Sequence, residues 1–320
     1  MTASQFAFLG IGTEQGQREQ GLRQSPLKAL ELMPKHWPIY ESLLLTQNKE
    51  HSPVVRHHNQ LAHLNKDIYQ RAFDHSRRHL SKGCCQITWG GDHSVALSSV
   101  AAFLDRYPQG NILWIDAHAD LNTPESSLTG NFHGMPLSIL LGVGKKPECS
   151  LADFWSILSP KRLIYFGIRD LDPFETSMMA SLGIKSLFAQ ELVPENFPSL
   201  LGQMVRILEE QPLHVSFDID SMDPNEAPST GVKASGGLRE WQILEVAESL
   251  FELKNVMSMD IVEINPFIGT PKEVIRTYHV AFNFLERLFN FGGEYQRASK
   301  IATIPKKLPF AQQWNTPFWP

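Results

Sequence analysis

Short apolar segments alternate along this chain with longer segments of helical periodicity, and this alternation limits the possible folds more than any other feature. Residues 112–115 (ILWI) and most of residues 162–168 (RLIYFGI) are apolar at successive positions, which is typical of strands buried on both faces. Residues 94–107, 241–253 and 272–289 instead repeat their apolar side chains at about 3.6 positions. The alternation predicts an α/β fold with three layers, α/β/α, in which helices cover both faces of a central, mostly parallel sheet.

The order of these segments gives a list of elements. Strands are predicted over residues 5–11, 84–88, 112–115, 162–168, 183–188, 214–219 and 256–264. Helices are predicted over residues 27–32, 64–80, 94–107, 200–210, 241–253 and 272–289, with one more ending at residue 141.

The length and composition fit one large domain. The chain has 320 residues, of which 42% are hydrophobic and 20% charged, so it can bury a sizeable core and is not expected to be disordered. No linker or internal repeat divides it. We therefore expect a single domain over residues 1–320, ending in a Pro-rich, aromatic tail from about residue 302.

The charge balance and the cysteines argue against several classes of partner. The net charge is −5, from 29 basic and 34 acidic residues, whereas a nucleic-acid surface needs a basic excess. No apolar run approaches the ~20 residues of a membrane span, and the first residues lack the features of a signal peptide. The three cysteines (Cys84, Cys85 and Cys149) do not form a disulfide framework. We expect a cytoplasmic protein whose thiols have no catalytic role and that binds neither nucleic acid nor membrane.

The end of one predicted strand has three possible metal ligands. Asp116, His118 and Asp120 occupy alternate positions directly after residues 112–115, so in an extended chain their side chains point the same way. Without Lys or Arg partners, such a group is costly to bury unless a cation is present. A polar loop with coincidental spacing is the alternative.

Other predicted strands end in similar residues. Ligands of parallel α/β sheets bind beyond the carboxyl ends of the strands, where this chain has His93, Asp172, Glu175, Asp218, Asp220 and Glu263. Carboxylates with one or two imidazoles suit hard divalent cations such as Mn²⁺, and two such ions can share a bridging carboxylate. The motifs of serine esterases, phosphate-binding loops and dinucleotide-binding folds are missing.

A further histidine pair gives a weaker signal. His75 and His79 are four positions apart in the predicted helix 64–80, a spacing that can bind zinc. Arg77 and Arg78 lie between them and no third acidic or thiol ligand is close in sequence. We therefore interpret this segment as a solvated, basic helix face.

Taken together, the motifs resemble the ureohydrolase family of binuclear manganese enzymes. They are GGDHS at 90–94, DAHAD at 116–120, GNFHGMP at 130–136, SFDID at 216–220 with DP at 223–224, and VEINP at 262–266. Within that family, GNFHGMP and RDLDPFE (169–175) look like arginase rather than agmatinase or formimidoylglutamase. The resemblance covers the chain from the first predicted strand to the last predicted helix.

The resemblance implies a role for each candidate residue. Two Mn²⁺ ions per chain, with Co²⁺ as another possible metal, would be bound by His93, Asp116, His118, Asp120, Asp218 and Asp220. A hydroxide bridging the metals would attack the guanidinium carbon of L-arginine and release L-ornithine and urea. Asp120 and His133 would carry protons, and Glu263 would hold the guanidinium group. Asn122, Thr129 and Asn131 would bind the substrate carboxylate, and Asp172 and Glu175 would lie near its α-amino group.

The sequence departs from the family pattern at three positions, and other functions are also compatible with the motifs. Thr129 stands where serine is common, Val232 stands where threonine is usual, and Ser25-Pro26 replaces a Gly-Pro pair. The alternatives are an agmatinase or another guanidino-acid ureohydrolase, and a non-catalytic arginine-binding protein. Asp172 could also be an ordinary turn residue, and Asn131 a local backbone cap.

The tail and the assembly complete the expectations. Trp314, Phe318 and Trp319 are more aromatic than a solvated tail should be, and family members are commonly trimeric. We expect a homo-oligomer, a trimer or hexamer, with residues 305–320 in subunit contacts. A disordered terminus is the alternative.

Overall fold

The computed structural model describes residues 5–17, 19–46, 66–148 and 150–291. The predicted tail from about residue 302 and the third cysteine, Cys149, lie outside the described residues.

Eight strands form one sheet, and every neighbouring pair is parallel. The strands are β1 (Phe6–Gly12), β2 (Ile39–Thr46), β3 (Cys85–Gly90), β4 (Asn111–Ile115), β5 (Leu163–Ile168), β6 (Lys185–Phe188), β7 (Leu213–Asp218) and β8 (Val256–Val262). Their order across the sheet is β2-β1-β3-β8-β7-β4-β5-β6. All carboxyl ends of the strands therefore lie at one edge of the sheet.

Helices cover both faces of the sheet. They are α1 (Ser25–Leu32), α2 (Lys66–Ser81), α3 (Ala96–Arg106), α4 (Pro136–Leu141), α5 (Pro173–Leu182), α6 (Phe197–Leu208), α7 (Glu240–Leu253) and α8 (Pro271–Phe289). Leu113 and Ile115 pack into one buried core with residues of α6, α7 and α8. Ile112 and Trp114 point to the other face, where α2, α3 and α4 pack. Burial on both faces explains why the strands are apolar at successive positions, and the predicted three-layer α/β/α fold is confirmed.

The structure adds two elements that the sequence did not predict. Strand β2 lies at an edge of the sheet, and most of its residues are exposed or partly exposed, so it lacks the apolar pattern of the inner strands. Helix α5 begins within the DPFE sequence, where Asp172 and Glu175 form a reciprocal capping box. A short Asp-Pro sequence also suits a turn, so the pattern alone did not distinguish the two.

The interpretation of His75 and His79 as a solvated helix face is wrong. Each is only 3% exposed, because α2 turns this face toward the sheet and the arginines between them point outward. The pair forms a close edge-to-face contact, and Glu41 of β2 supplies the acidic neighbour that was not visible in the local sequence.

Two smaller predictions concern membranes and thiols. Within the described ranges, none of the helices combines the length and the apolar character needed to cross a membrane. Cys84 and Cys85 are both free and buried.

Candidate metal centre

Four adjacent strands bring together predicted metal ligands and Glu263, the residue predicted to hold the guanidinium group. His93 follows β3, Asp116 follows β4, Asp218 ends β7 and Glu263 follows β8, and these strands are consecutive in the order β3-β8-β7-β4. The ligands are far apart in sequence but lie at one edge because the strands are parallel. A tight corner after β3 lets His93 point inward, and its backbone N–H donates to Glu263 Oε1 at 2.8 Å.

The imidazole of His93 directs one nitrogen at three carboxylates. Its Nδ1 lies 3.1 Å from Asp116 Oδ2 and 3.0 Å from both Asp120 Oδ2 and Asp218 Oδ2. One ring nitrogen has at most one proton, so it can donate to only one of these oxygens. Donor atoms bonded at about 2.1 Å to one octahedral ion lie about 3 Å apart. The arrangement therefore fits a shared cation better than a hydrogen-bonded cluster.

Asp116 belongs to two groups of possible ligands. One group is His93, Asp116 and Asp120, and the other is Asp116, His118 and Asp220; within each, the ligand atoms lie within 4.8 Å of one another. Asp116 Oδ1 lies 3.5 Å from His118 Nδ1, which is 3.2 Å from Asp220 Oδ2. A carboxylate whose two oxygens face different ligand groups can bridge two ions about 3.5–4 Å apart.

Electrostatics also favours a cation here. Burial raises the pKa of Asp120 to about 6, and the charge of Asp116 adds to the shift. Burial raises the pKa of Asp218 well above its usual value, with further contributions from Asp220 and Asp116. Burial alone would lower the pKa of His93, but the carboxylates around it raise that pKa well above its usual value. The carboxylates thus carry more negative charge than the imidazoles balance, and divalent cations would supply the missing positive charge.

Contacts with neighbouring side chains fix the orientation of His93 and Asp116. His93 stacks on Trp114 with ring centroids 4.1 Å apart, and its Nε2 lies 2.8 Å from Ser216 Oγ. The Trp114 indole N–H donates to Asp116 Oδ2 at 2.9 Å. Asp120 has a φ of 51°, a left-handed conformation that is uncommon for a residue other than glycine and often marks a functional position.

A second polar group lies beside the ligands. His133 Nδ1 is 3.0 Å from Glu263 Oε1. Burial alone would lower the pKa of His133, but the charge and hydrogen bond of Glu263, together with the charges of Asp120 and Asp92, outweigh burial and raise the pKa to about 9. The Gln17 amide donates to Glu263 Oε2 at 2.6 Å and its Nε2 lies 3.4 Å from His133 Nδ1. Glu263 therefore has partners on both oxygens, and it too has a left-handed backbone, with φ 65°.

The predicted substrate residues fall into two places. The Asn122 amide donates to Asp172 Oδ2 at 2.6 Å, and Asp172 Oδ1 accepts the Glu175 backbone N–H at 2.9 Å, so these three form one connected group. Burial raises the pKa of Glu175 to about 7, with the charges of Asp120 and Asp172 acting in the same direction. A cationic group bound beside Glu175 would favour its ionised form.

Thr129 and Asn131 lie farther along the loop that follows Asn122. Thr129 is exposed and Asn131 is partly exposed, and the Thr129 hydroxyl accepts the Asn131 backbone N–H at 3.2 Å. Val232 is partly exposed and follows Gly231, where an added Cβ would lie 3.2 Å from Gln17 Oε1.

Sequence reasoning missed several residues of the site. Gln17 had only a weak signal, since it lies in a polar, glycine-containing loop. Asp170, whose Oδ2 is 3.6 Å from His118 Nε2, lies within the motif RDLDPFE, but no spacing rule relates it to His118. The guanidinium of Arg169 donates to the backbone carbonyls of Asp220 and Ser221, a contact that no local pattern can indicate.

Comparisons with known proteins indicate the family of this chain. A profile described as Arginase family matches residues 4–289. The arginase of Glaciozyma antarctica is 34% identical over 232 residues, which are 69% of this chain and 64% of that protein. The aligned part is thus just under two thirds of that relative's length.

Solved structures show the same similarity. The Entamoeba histolytica arginase in complex with L-ornithine matches with a TM-score of 0.78 at 25% identity, over 90% of this chain and 99% of that one. The formimidoylglutamase of Bacillus subtilis matches with a TM-score of 0.73 at 16% identity, over 91% and 88% of the two chains. At that identity the second likeness shows the fold alone.

Proposed function

The chain belongs to the arginase family, and on that premise we propose that it is a binuclear-manganese hydrolase that converts L-arginine to L-ornithine and urea. The observation that supports this most strongly is the position of Asp116 in two ligand groups at once. Two divalent ions would be held by His93, Asp116, His118, Asp120, Asp218 and Asp220. When bound, they supply the nucleophile, because they lower the pKa of water toward neutrality.

The protein groups beside the ligands would bind the substrate guanidinium and move protons. Glu263 is 2% exposed and carries the charge that complements a planar cation. The leaving amine must gain a proton as the carbon–nitrogen bond breaks. Asp120 would carry that proton from the attacking water to the amine, and His133, whose pKa is raised to about 9, would exchange protons with solvent.

The group made by Asn122, Asp172 and Glu175 supports an amino-acid substrate. Two carboxylates at one end of the site, at Asp172 and Glu175, complement an α-amino group. Thr129 and Asn131, with Asn122, supply donors for the α-carboxylate. Part of this binding is expected to run through water, because Thr129 is exposed and water bridges such groups at little cost.

The main alternative is a related guanidino substrate such as agmatine, which has no α-carboxylate. With agmatine bound, Asn122, Thr129 and Asn131 would have no carboxylate to pair with. Leaving such polar groups unpaired usually lowers kcat/KM by a large factor. A non-catalytic arginine-binding protein is the second alternative. The presence of all six ligand residues with His133 and Glu263 argues against it.

Steady-state kinetics with Mn²⁺ test the proposal. We expect kcat/KM for L-arginine to exceed that for agmatine and D-arginine by about 10²-fold or more, but by less than the ~10⁴-fold of fully direct pairing. Equal or faster cleavage of agmatine would reject L-arginine as the preferred substrate. Absence of urea release with every guanidino compound, in a protein loaded with metal, would favour the binding-protein alternative.

Three coarser proposals concern the whole protein. We propose that residues 1–320 form a single domain, that the protein assembles as a trimer or hexamer, and that it is cytoplasmic. Family membership supports the first two, and the absence of a cysteine framework from the sequence supports the third. Light scattering of the full chain and of a chain ending at Ile304 measures the assembly. An unchanged size after truncation would exclude a role for the tail in subunit contacts.

A further inference from the structure

A second group of possible metal ligands lies away from the candidate metal centre. Glu41 of β2 and His75 and His79 of α2 each place one ligand atom within 4.8 Å of the others. The histidines are four positions apart, so they share a face of the helix, and their ring centroids lie 4.3 Å apart. Glu41 Oε2 is 3.1 Å from His79 Nε2. These three residues are called the edge cluster below.

Two imidazole nitrogens of the edge cluster are buried without a hydrogen-bond partner. His75 and His79 are each 3% exposed, yet His75 Nε2 and His79 Nδ1 have no hydrogen-bond partner within the described part of the chain. The contact with Glu41 accounts for His79 Nε2 alone. Buried polar atoms in native proteins nearly always have a partner, so the free nitrogen of His75, next to a carboxylate and a second imidazole, indicates a position for a ligand.

We propose that the edge cluster binds one Zn²⁺ ion. Two imidazoles and one glutamate form a ligand set that zinc uses in proteins, with a fourth position open to water. Nitrogen-rich sites favour zinc, whereas the carboxylate-rich metal centre suits manganese. Tetrahedral donors about 2.1 Å from zinc lie about 3.4 Å apart. The ligand atoms of the edge cluster lie within 4.8 Å of one another. The side chain of Glu41 is 45% exposed, so it can move to bring its carboxylate oxygen to the zinc spacing.

This site is distinct from the candidate metal centre. Glu41 is in register with Ala7 of β1, which is in register with Gln86, the second residue of β3. His93 follows the opposite end of β3, and at ~3.3 Å per residue the strand between them spans at least ~13 Å. The edge cluster therefore lies toward the amino edge of the sheet, where zinc would join the edge strand β2 to helix α2.

Counting zinc in matched variants tests the proposal. The full chain is saturated with Zn²⁺, dialysed to remove weakly bound ions, and analysed for metal. We expect Glu41→Gln and His79→Asn to retain one zinc ion fewer per chain than the unmodified protein. Asp74→Asn, which removes an exposed carboxylate next to His75 on the same helix, is the matched control and should retain the full number.

A variant that cannot bind metal at the candidate metal centre distinguishes this proposal from the proposed function. In Asp116→Asn we expect one zinc ion to remain, and in the double variant with Glu41→Gln none. Urea release by Glu41→Gln loaded with Mn²⁺ should equal that of the unmodified protein. Equal zinc content in the unmodified protein and Glu41→Gln overturns the proposal, whatever the enzymatic activity is.

Two further measurements keep the test valid if a histidine variant folds poorly. Co²⁺ added to Asp116→Asn should give the intense visible absorption of a tetrahedral nitrogen-ligated ion, and Glu41→Gln should weaken that band. Zn²⁺ should raise the Tm of Asp116→Asn by at least about 3 °C and leave the double variant unchanged. A Tm rise of the same size in both proteins would also overturn the proposal.

Discussion

Asp116 contributes one carboxylate oxygen to each of the two ligand groups, whereas His118 belongs to only one. We therefore expect Asp116→Asn to lose both central ions and His118→Asn to lose mainly one. Removing a direct ligand should lower activity by more than about 100-fold in either case, since even outer partners of metal ligands matter by 10–100-fold. Metal analysis after incubation with Mn²⁺ measures the difference. Equal metal loss in the two variants would show that Asp116 does not bridge.

Gln17 contacts the carboxylate oxygen of Glu263 that His133 does not contact. Its amide donates to Glu263 Oε2 at 2.6 Å, and a hydrogen bond to a charged group contributes about 1.5–3 kcal/mol. Gln17→Ala should raise KM for L-arginine by about 10-fold while the bound metal stays unchanged. Gln17→Glu should be worse, because two carboxylates would then face each other. If both variants keep the normal KM, Gln17 does not position Glu263.

The candidate ligands could be proposed from the sequence, but the residues that contact and orient them could not. Asp116, His118 and Asp120 were visible because a strand makes alternate side chains point the same way. Gln17 and Arg169 act across 246 positions and 51 positions of the chain, respectively. No local periodicity relates such distant residues, so only the folded structure reveals these contacts.

At the scale of elements, two backbone segments approach each other closely at the corner after β3. A Cβ added at Gly91 would lie 1.8 Å from the carbonyl oxygen of Thr13, which follows β1, so the two backbones leave no room for a side chain. Gly91→Ala should lower the free energy of unfolding by about 3 kcal/mol, at the upper end for overpacked sites. Gly134→Ala is the control, since an added Cβ there meets nothing within 4 Å. Urea unfolding that gives equal values for the two variants would contradict this prediction.

The carboxylate of Asp223 stabilises the backbone of the segment that follows β7. Asp223 accepts the backbone N–H groups of Asn225 and Gly236. Burial alone would raise the pKa of Asp223, but these hydrogen bonds and the charge of Arg239 outweigh it and lower the pKa. A lowered pKa means that the stabilisation is present above about pH 4 and is lost as the pH falls below it.

Asp223→Ala should therefore cost about 1–2 kcal/mol of unfolding free energy at pH 7. The difference between the two proteins should shrink in acid. Urea titrations at pH 7 and pH 3.5 measure it, and a difference that stays constant between them would contradict the assigned role.

At the level of elements, burial on both faces decided what could be predicted. The inner strands were found because both faces are apolar. Strand β2 was missed because an edge strand needs less apolar surface, and that omission also hid the contact of Glu41 with His75 and His79. The helix pattern located α2 correctly, but it could not show that the sheet buries this polar pair.

At the scale of the whole molecule, metal ions bound at the candidate centre are expected to stabilise the fold as well as to serve catalysis. Without cations, four aspartates and Glu263 lie buried together, and burial raises the pKa of Asp120 to about 6. Removing the metals with a chelator should lower Tm by about 5 °C or more, and Mn²⁺ should restore it. The double variant of Asp116→Asn with Glu41→Gln, which lacks ligands of both metal sites, should respond to neither treatment. A chelator-insensitive Tm in the unmodified protein would mean that the ligand groups are stable without ions.

The position of β8 in the sheet affects the order in which the sheet can form during protein synthesis. It is the last of the eight strands along the sequence, yet it lies between β3 and β7. During synthesis on a ribosome, β1 to β3 can pair with one another, and so can β4 to β7, but neither set has a strand that joins it to the other. Only when residues 256–262 leave the exit tunnel can the halves unite, and Glu263 arrives with that same strand. A nascent chain interrupted before this point would consist of two unjoined sheets with open edges and would have no catalytic centre.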